Sequence, residues 1–240
     1  MSAYETRLLG HEEIAAGTRA FRLAKPSGFA FAPGQAVTLV LIQPPPEENS
    51  RQRIFSLVSA PFEAELVVAT RMREGSAFKR ALKELSGGAA LRLRGPRGSL
   101  TLSEDAVRPA VFVAGGIGIT PFMSMLRQAA HEGSRRQFRL LYSSRRPEDA
   151  AFLDELQGLD RGLPGFQLHA TMTDMASSGR AWRGDTRSLD ADLIAGACRG
   201  LSAPLYFVVG PPGFVTAAKG ALDLLLVSAD DVRTELFHGY

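Results

Sequence analysis

The chain has 240 residues, 45% of them apolar, which suits one large domain or two small ones with packed cores. The net charge is only +3, no apolar run reaches membrane-spanning length, and the N-terminal segment is charged throughout. Nucleic-acid binding, a membrane span and a signal peptide are therefore not predicted. The single cysteine, Cys198, excludes an internal disulfide and a cysteine-ligated iron–sulfur cluster within this chain and favours the cytoplasm. No metal site is predicted.

The first hundred residues are predicted to form short strands and one helix. Period-two alternation and β-branched content predict strands at 18–23, 36–42, 53–60, 64–72 and 91–94. The segment Gln43–Ser50 (QPPPEENS) is too rich in proline for a central strand, so we expect an exposed hairpin loop or, alternatively, a proline-rich partner motif. A short helix is predicted over Ala77–Leu85, with Ser76 as its N-cap. This half is expected to be an antiparallel β-barrel spanning residues 1–104.

After about Leu102 strands and helices alternate, which predicts an α/β domain with a parallel sheet over residues 105–240. The predicted strands are 111–114, 138–142, 166–171, 205–209 and 232–236. The predicted helices are 121–131, 148–157, 190–197 and 212–226, and they are expected on both faces of the sheet.

A glycine-rich turn, GGIGITP at 115–121, lies between the first of these strands and its helix. Thr120 is a suitable N-cap and Pro121 suits the first helical position. Free N–H groups in such a turn favour an anion such as a dinucleotide pyrophosphate. The usual third glycine of a dinucleotide fingerprint is replaced by Pro121, and the same pattern also occurs as plain architecture.

Two motifs in the barrel half could bind a phosphorylated ring system. In Arg53-Ile54-Phe55-Ser56, alternation places Arg53 and Phe55 on one face and Ser56 on the other. An arginine can neutralise a phosphate, an aromatic ring can cover a flat ligand, and a hydroxyl can bond a ring nitrogen. Gly75 and Ser76 begin the short helix and form a second anion-binding start. The alternatives are a surface arginine, a core phenylalanine and an ordinary capped helix.

The ordered set PGQ (33–35), RIFS (53–56), GS (75–76), GPRG (95–98), GGIGITP (115–121), VVGPPGF (208–214) and a C-terminal ELFHGY resembles the ferredoxin–NADP reductase superfamily over nearly the whole chain. The resemblance implies a flavin-binding barrel followed by a nicotinamide-nucleotide domain. It implies that Arg53 binds the FAD pyrophosphate, that Phe55 and Leu57 line the flavin, and that Ser56 is the catalytic residue beside flavin N5. It further places Ala69 and Thr70 near the adenosine, and the pyrophosphate on Gly75, Ser76 and Ala77.

The resemblance also implies a site for NADPH or NADH. That site would use Gly115, Gly116, Gly118, Thr120 and Pro121, together with Gly210 and Pro211. The chain has Val209 where the family often has a cysteine that tunes hydride transfer. An aromatic residue near the C-terminus covers the flavin in relatives, and here Phe237 is the first candidate and Tyr240 the second, unless the tail is merely frayed.

Coenzyme choice is expected to depend on the end of the second parallel strand, Tyr142-Ser143-Ser144-Arg145-Arg146. No acidic residue follows there to bind a ribose 2′-hydroxyl, whereas Ser144 and Arg145 could bind a 2′-phosphate. The sequence therefore favours NADPH, although a solvated basic loop is the alternative and NADH-using relatives also carry an arginine here.

These features predict an oxidoreductase that passes a hydride from NAD(P)H to FAD and then electrons to a separate acceptor. That acceptor would be a ferredoxin-like or flavodoxin-like carrier or a small molecule, since the chain has no cysteine-rich ferredoxin domain of its own. The alternatives are a flavin reductase that releases reduced flavin and a redox-sensing subunit without useful turnover.

Overall fold

The structure is a computed structural model that describes residues 2–42, 51–102 and 108–238. The chain divides into two compact units, one comprising residues 1–101 and 120–128 and the other residues 102–119 and 129–240. The expected boundary between residues 104 and 105, the predicted loop at 43–50 and Tyr240 all lie outside the described residues.

The elements run along the chain as β1 Ala3–Ala15, β2 Thr18–Ala24, β3 Ala36–Leu41, β4 Gln52–Ser56, β5 Glu65–Arg71, α1 Ala77–Glu84, β6 Ala90–Arg97, β7 Ala110–Gly115, α2 Thr120–His131, β8 Phe138–Ser144, α3 Leu153–Gly162, β9 Phe166–Met172, α4 Ala191–Ala197, β10 Leu205–Gly210, α5 Pro212–Leu224 and β11 Val232–Leu236. The antiparallel strands of the first half and the βαβ rhythm of the second are both confirmed. No helix in the described ranges is both long and apolar enough to cross a membrane.

The first unit is built on an antiparallel sheet with the strand order β4-β3-β6-β1-β2-β5. Its two outer strands approach each other, because the chain leaving β4 pairs with β5 through a bridge between Leu57 and Val68. The Val58 N–H also donates to the Val67 carbonyl at 2.8 Å. The sheet is therefore barrel-like, joined by a short ladder rather than by full-length strand pairing.

Strand β1 was not predicted, and its charged appearance explains why. Tyr4, Thr6 and Leu8 alternate with Glu5 and other charged residues, a pattern typical of a half-buried strand. The first half of β1 pairs with β6 and the second half with β2. The pairing register with β2 shifts just after Leu8, and a bulge of this kind bends a strand. The bend allows one strand to serve two parts of the curved sheet.

The core of the first unit fills the inside of this curved sheet. Inward-facing side chains from all six strands meet there, among them Phe21, Leu39, Phe55, Leu57 and Leu93. Helix α1 adds Phe78 and Leu82 to the same cluster. Ser76 caps α1 as predicted, since its hydroxyl accepts a hydrogen bond from the Lys79 backbone N–H at 3.3 Å.

The second unit contains a parallel sheet with the order β11-β10-β7-β8-β9. Helices α4 and α5 contact the face that carries Val111, Val113 and Val208, and these residues form one apolar cluster with Ile194 and Val215. On the other face Phe112 packs against Phe138 and Phe207, with ring centroids 5.8 and 5.6 Å apart. The strand order reverses between β7 and β10, which in open α/β sheets is where ligands bind beyond the carboxyl ends of the strands.

Helix α3 begins five residues later than the predicted start at Glu148. Pro147–Asp149 form a 3-10 turn instead, and Phe152 has a left-handed backbone with φ = 61° before the helix starts. The buried Tyr142 hydroxyl donates to the Ala151 carbonyl at 3.2 Å. A 3-10 turn and a residue with a left-handed backbone thus separate β8 from α3, and the bond from Tyr142 holds the segment between them.

A segment after β9 covers the outer edge of the parallel sheet. Asp185 bridges Thr171 in parallel, and its carbonyl accepts from the Met172 N–H at 3.0 Å. The Trp182 indole N–H donates to the same carbonyl at 2.9 Å, and the Thr171 hydroxyl donates to the Arg187 carbonyl. We call residues 182–187 the edge strap.

Two glycines with positive φ allow a test of the packing in the first unit. A Cβ on Gly34 would lie 2.2 Å from the Leu100 carbonyl oxygen and 2.3 Å from the Met125 methyl carbon, whereas one on Gly28 would meet nothing within 4 Å. Gly28→Ala should cost about 1–2 kcal/mol for its backbone alone. Gly34→Ala should cost about 1–3 kcal/mol more, because the new methyl group is overpacked.

Urea unfolding of both variants measures this difference. Equal losses in Gly28→Ala and Gly34→Ala, at unchanged denaturant dependence, would contradict the packing seen around Gly34.

Candidate functional site

The first candidate site lies in the first unit, where β4 ends. Arg53 lies with its guanidinium carbon 5.8 Å over the Phe78 ring, and the Phe55 ring is 6.0 Å from the same ring. Arg53 and Phe55 therefore share a face, as alternation predicts. Phe55 is only 4% exposed and belongs to the core, as does the fully buried Leu57. Their predicted contacts with a flavin remain predictions.

Ser56 occupies the point where the chain changes its hydrogen-bond partner. Leu57 N–H still bonds the Gln35 carbonyl on the β3 side at 3.0 Å, while Val58 N–H already bonds β5. This change of partner buries the whole run from Phe55 to Ala60, so Ser56 is buried although it faces away from Phe55. Its hydroxyl oxygen has no hydrogen-bond partner among the described residues.

A buried hydroxyl without a partner is costly, and natural proteins rarely keep one without a reason. The nearby Ser59 shows the contrast, because its hydroxyl accepts from the Val67 N–H at 2.9 Å. The Ser56 hydroxyl, which can both donate and accept, thus fits a ligand with a polar ring atom. Ala69 and Thr70, predicted beside the adenosine, are buried in β5.

The start of α1 carries a concentration of positive charge. Lys79 is buried, and its ammonium group donates to the Arg71 carbonyl at 2.9 Å. Burial, followed by the nearby charges of Arg73 and Arg53, lowers the pKa of Lys79 to about 8. An anion placed among these cations would relieve their mutual repulsion.

The predicted phosphate-binding residues stand beside this charge. Gly75 is exposed, and a Cβ added to it would meet nothing within 4 Å, so neither crowding nor a positive φ requires glycine there. Ser76 and Ala77 cap and begin α1, whose first N–H groups point toward the same end. Lys79 was missed by sequence reasoning, although a lysine next to Phe78 on the buried side of a helix start was a visible signal.

The second candidate site lies at the carboxyl edge of the parallel sheet in the second unit. The ends of β7, β8 and β10 carry the predicted nucleotide residues, and just after β11 the Phe237 N–H donates to the Gly210 carbonyl at 2.9 Å. The fold therefore brings Phe237 next to Gly210 and Pro211. Tyr240, the alternative aromatic residue, lies outside the described residues.

The positions in the turn after β7 require glycine for different structural reasons. A Cβ on Gly115 would lie 2.7 Å from the Phe214 ring, and one on Gly118 would lie 2.3 Å from the Val209 carbonyl oxygen. Packing within the unit thus requires both glycines. Gly116 differs, because it has φ = 53° and open space around it. Gly116 is the residue of this turn where a ligand can approach the backbone.

The turn itself differs from the prediction in one respect. Residues Gly116–Ile119 form a 3-10 turn that continues directly into α2 at Thr120. Thr120 is therefore the first residue of the α-helix and not its N-cap, and Pro121 is the second. The helical run starts at Gly116, so its unpaired N–H groups lie earlier in the turn than predicted. Val209, in place of the family cysteine, is fully buried.

Ser144 and Arg145 lie at the end of β8, where they were predicted. Ser144 is buried, and its carbonyl accepts from the Thr173 N–H at 3.0 Å. The Arg145 guanidinium forms an ion pair with Asp174 at 2.6 Å. The predicted role of Arg145 in binding a phosphate stays a prediction, and Asp174 was not considered because it follows a different strand.

Comparison with known proteins relates both units to reductases. Residues 112–220 match the oxidoreductase NAD-binding domain family. The chain is 33% identical to ferredoxin–NADP reductase B of Sorangium cellulosum over 222 residues, covering 90% of this chain and 89% of that protein.

The chain belongs to the ferredoxin–NADP reductase family.

Members of this family also occur within longer proteins. The reductase component of propane 2-monooxygenase from Rhodococcus jostii is 33% identical over 172 residues, covering 70% of this chain and 45% of that protein. The chain thus spans less than half of that relative. A ferredoxin NADP+ reductase from Neisseria gonorrhoeae, solved with bound FAD and NADP, shares the fold with a TM-score of 0.78 and 18% identity, covering 98% of each chain.

The packing role of Gly115 can be tested apart from any ligand. Gly115→Ala should destabilise the protein by about 1–3 kcal/mol, because its methyl group meets the Phe214 ring. In a Phe214→Leu background the same substitution should cost less than half as much, since the obstacle is smaller. Urea unfolding of the four proteins in this cycle gives the coupling.

Gly118→Ala is the matched control. Its methyl group would meet the Val209 backbone, so Phe214→Leu should give it no relief. Relief of both substitutions, or of neither, would show that Phe214 is not what excludes a side chain at Gly115.

Proposed function

We propose that this chain is a flavin-dependent reductase that binds FAD in its first unit and NAD(P)H in its second, and that it passes electrons to a separate acceptor. The observation that carries the proposal is the buried Ser56 hydroxyl, which has no hydrogen-bond partner among the described residues, in the same unit as the cationic start of α1. This combination fits a ligand with a polar ring and a pyrophosphate. Membership of the ferredoxin–NADP reductase family supports the same choice.

The residues of the first unit have distinct tasks in this proposal. Arg53 and Lys79 would hold the pyrophosphate together with the N–H groups at Ser76 and Ala77. The Ser56 hydroxyl would bond the flavin ring nitrogen, donating or accepting as the ring requires. Burial of the segment around Ser56 would keep water from that bond. When bound, FAD supplies the chemistry of hydride acceptance and onward electron transfer.

The residues of the second unit would position the nucleotide. Gly116 offers an open backbone at the switch point of the parallel sheet, where dinucleotides bind in such folds. Phe237 and Pro211 flank the neighbouring strand ends. Phe237 is proposed to cover the flavin, in keeping with the family.

The acceptor is proposed to be a separate ferredoxin-like or flavodoxin-like carrier, or an oxygenase, since one relative is the reductase component of propane 2-monooxygenase. The single cysteine fits a reducing cytoplasm, which is where we propose the protein acts.

The test is to purify the protein, identify its flavin by mass, and measure NAD(P)H-driven reduction of ferricyanide. We expect a yellow protein with FAD bound one to one and rapid turnover. A colourless protein that takes up no FAD would refute the proposal. Loss of the flavin on gel filtration with high activity toward free flavin would favour a flavin reductase, and tight FAD without turnover would favour a sensor.

Ser56→Ala should separate a binding role from a structural one. Without FAD the variant should be at least as stable as the wild type, because it loses a hydroxyl that has no partner among the described residues. With FAD bound, reduction by saturating NAD(P)H in a stopped-flow instrument should slow by about 10²–10³, the cost of one preorganised hydrogen bond.

Ser59→Ala provides the control, because its hydroxyl is already bonded within the protein. It should lower the free energy of unfolding and leave the reduction rate of the remaining folded protein unchanged. If Ser56→Ala is reduced as fast as the wild type, Ser56 does not act at the flavin.

The pKa of Lys79 predicts a pH dependence of FAD binding. The pyrophosphate favours the protonated ammonium, whose population in the free protein falls as pH rises through about 8. FAD affinity should therefore be constant below about pH 7 and then fall by up to about tenfold per pH unit above 8. Fluorescence titration of the apoprotein between pH 6.5 and 9.5 measures it.

Lys79→Met should bind FAD more weakly and without this slope. Lys83→Met, which removes an exposed charge from the last turn of the same helix, should show the same fall of FAD affinity with pH as the wild type. Equal slopes in wild type and Lys79→Met would rule out a contact between Lys79 and the pyrophosphate.

A further inference from the structure

The ends of β8 and β9 stay joined after the regular strands stop. Beyond β9, the Thr173 N–H donates to the Ser144 carbonyl at 3.0 Å, and the Asp174 N–H donates to the Arg145 carbonyl at 2.7 Å. The Asp174 carboxylate is thereby placed beside the residue that follows β8. It accepts from the Arg145 guanidinium at 2.6 Å and from the Ser177 hydroxyl at 3.0 Å.

The surrounding charges do not favour a phosphate. Arg146, the next residue along the chain, donates to both oxygens of Asp149 at 2.7 and 2.9 Å and to the Ser177 carbonyl. The Glu148 carboxylate accepts from the Ser178 hydroxyl and the Gly179 N–H. The guanidinium groups of Arg145 and Arg146 are thus both paired with carboxylates, and a third carboxylate lies nearby, so these paired groups offer a dianion little attraction.

The Asp174 carboxylate remains ionised at neutral pH. Hydrogen bonds from Arg145 and Ser177 lower its pKa below the ordinary value. The Arg145 side chain is 63% exposed, so the ion pair is screened by water and the arginine is held only loosely. The fixed group at this place is the carboxylate and not the guanidinium.

In nucleotide-binding sheets of this kind, an acidic residue near the end of the strand next to the glycine turn binds the ribose 2′-hydroxyl of NADH. The two residues that directly follow β8 are Arg145 and Arg146 and not an acid, which is why the sequence favoured NADPH. The fold brings an acid to that place from the next strand. Resting on the proposed function, we infer that Asp174 is a specificity-determining residue that selects NADH over NADPH.

Asp174 and Arg145 have different roles toward the adenosine ribose in this proposal. Asp174 accepts a hydrogen bond from the 2′-hydroxyl and repels a 2′-phosphate. Arg145 compensates part of the Asp174 charge, and because it is paired in this way Arg145 is not available to bind phosphate at full strength.

The test compares wild type, Asp174→Asn and Asp231→Asn. Asp231 is the matched control, because it also pairs with an arginine, Arg108, at 2.9 Å, but beside the strands' opposite, amino ends. The first readout is the dissociation constant of 5′-AMP and of adenosine 2′,5′-bisphosphate, measured by calorimetry. The second is the ratio of kcat/KM for NADH to that for NADPH, with ferricyanide as acceptor.

Wild type should bind 5′-AMP at least as tightly as the bisphosphate and should prefer NADH. Asp174→Asn should shift both ratios toward the phosphorylated ligand by on the order of tenfold, the effect expected for one charge at a protein surface. Arg145→Ala should change the ratios little in wild type, and should remove the gain when added to Asp174→Asn. Asp231→Asn should leave both ratios unchanged.

A wild type that binds the bisphosphate more than tenfold tighter than 5′-AMP would overturn the inference, as would ratios within twofold of wild type in a folded Asp174→Asn. The wild-type comparison stands even if that variant does not fold. Failure of the proposed function would be seen separately, as absence of FAD or of turnover with both coenzymes.

Discussion

The arrangement of the first unit depends on the change of hydrogen-bond partner at Leu57. An antiparallel sheet of this size must either expose its outer strands or bring them together. Here the chain stops pairing with β3 and starts pairing with β5 within two residues. That exchange connects the two outer strands of the sheet and buries the six consecutive residues after Ile54. The Ser56 hydroxyl is one of the buried groups, and it has no hydrogen-bond partner among the described residues. The buried hydroxyl that is proposed to bond the flavin nitrogen thus results from the pairing of the chain after β4 with β5.

The two candidate sites differ in their balance of charge. At the start of α1, burial and then the nearby charges of Arg73 and Arg53 lower the pKa of Lys79 to about 8, and an anion bound there would reduce the repulsion between these cations. At the ends of β8 and β9, each guanidinium already has a carboxylate, so the region is nearly balanced before any ligand binds. The first arrangement favours a bound anion, whereas the second offers an added anion little net attraction.

Local sequence patterns predicted most of the helices and strands, because alternation, helix caps and proline positions depend only on residues that are close together in the sequence. Strand β1 was missed since its charges masked a clear alternation of Tyr4, Thr6 and Leu8. The sequence predicted which segments form the candidate sites. It could not predict which side chains from different segments lie in contact. Asp174 lies 29 residues after Arg145, and only the parallel pairing of β8 with β9 brings the two together. Likewise, the sequence did not show that packing against Phe214 and Val209 requires glycine at positions 115 and 118, and the predicted contact of these glycines with the nucleotide stays a prediction.

The edge strap has a consequence for solubility. A parallel sheet ends in two rows of backbone groups that can recruit a strand from another molecule, which is a route to aggregation. On the β9 side, Asp185 already occupies part of that row, and Trp182 is bonded to the same residue. On the β11 side no strap is present among the described residues, but Arg233 and Glu235 place charges on the outermost strand. One border of the sheet is thus blocked by the chain itself and the other by charge, so that neither offers a flat, apolar template to a second copy.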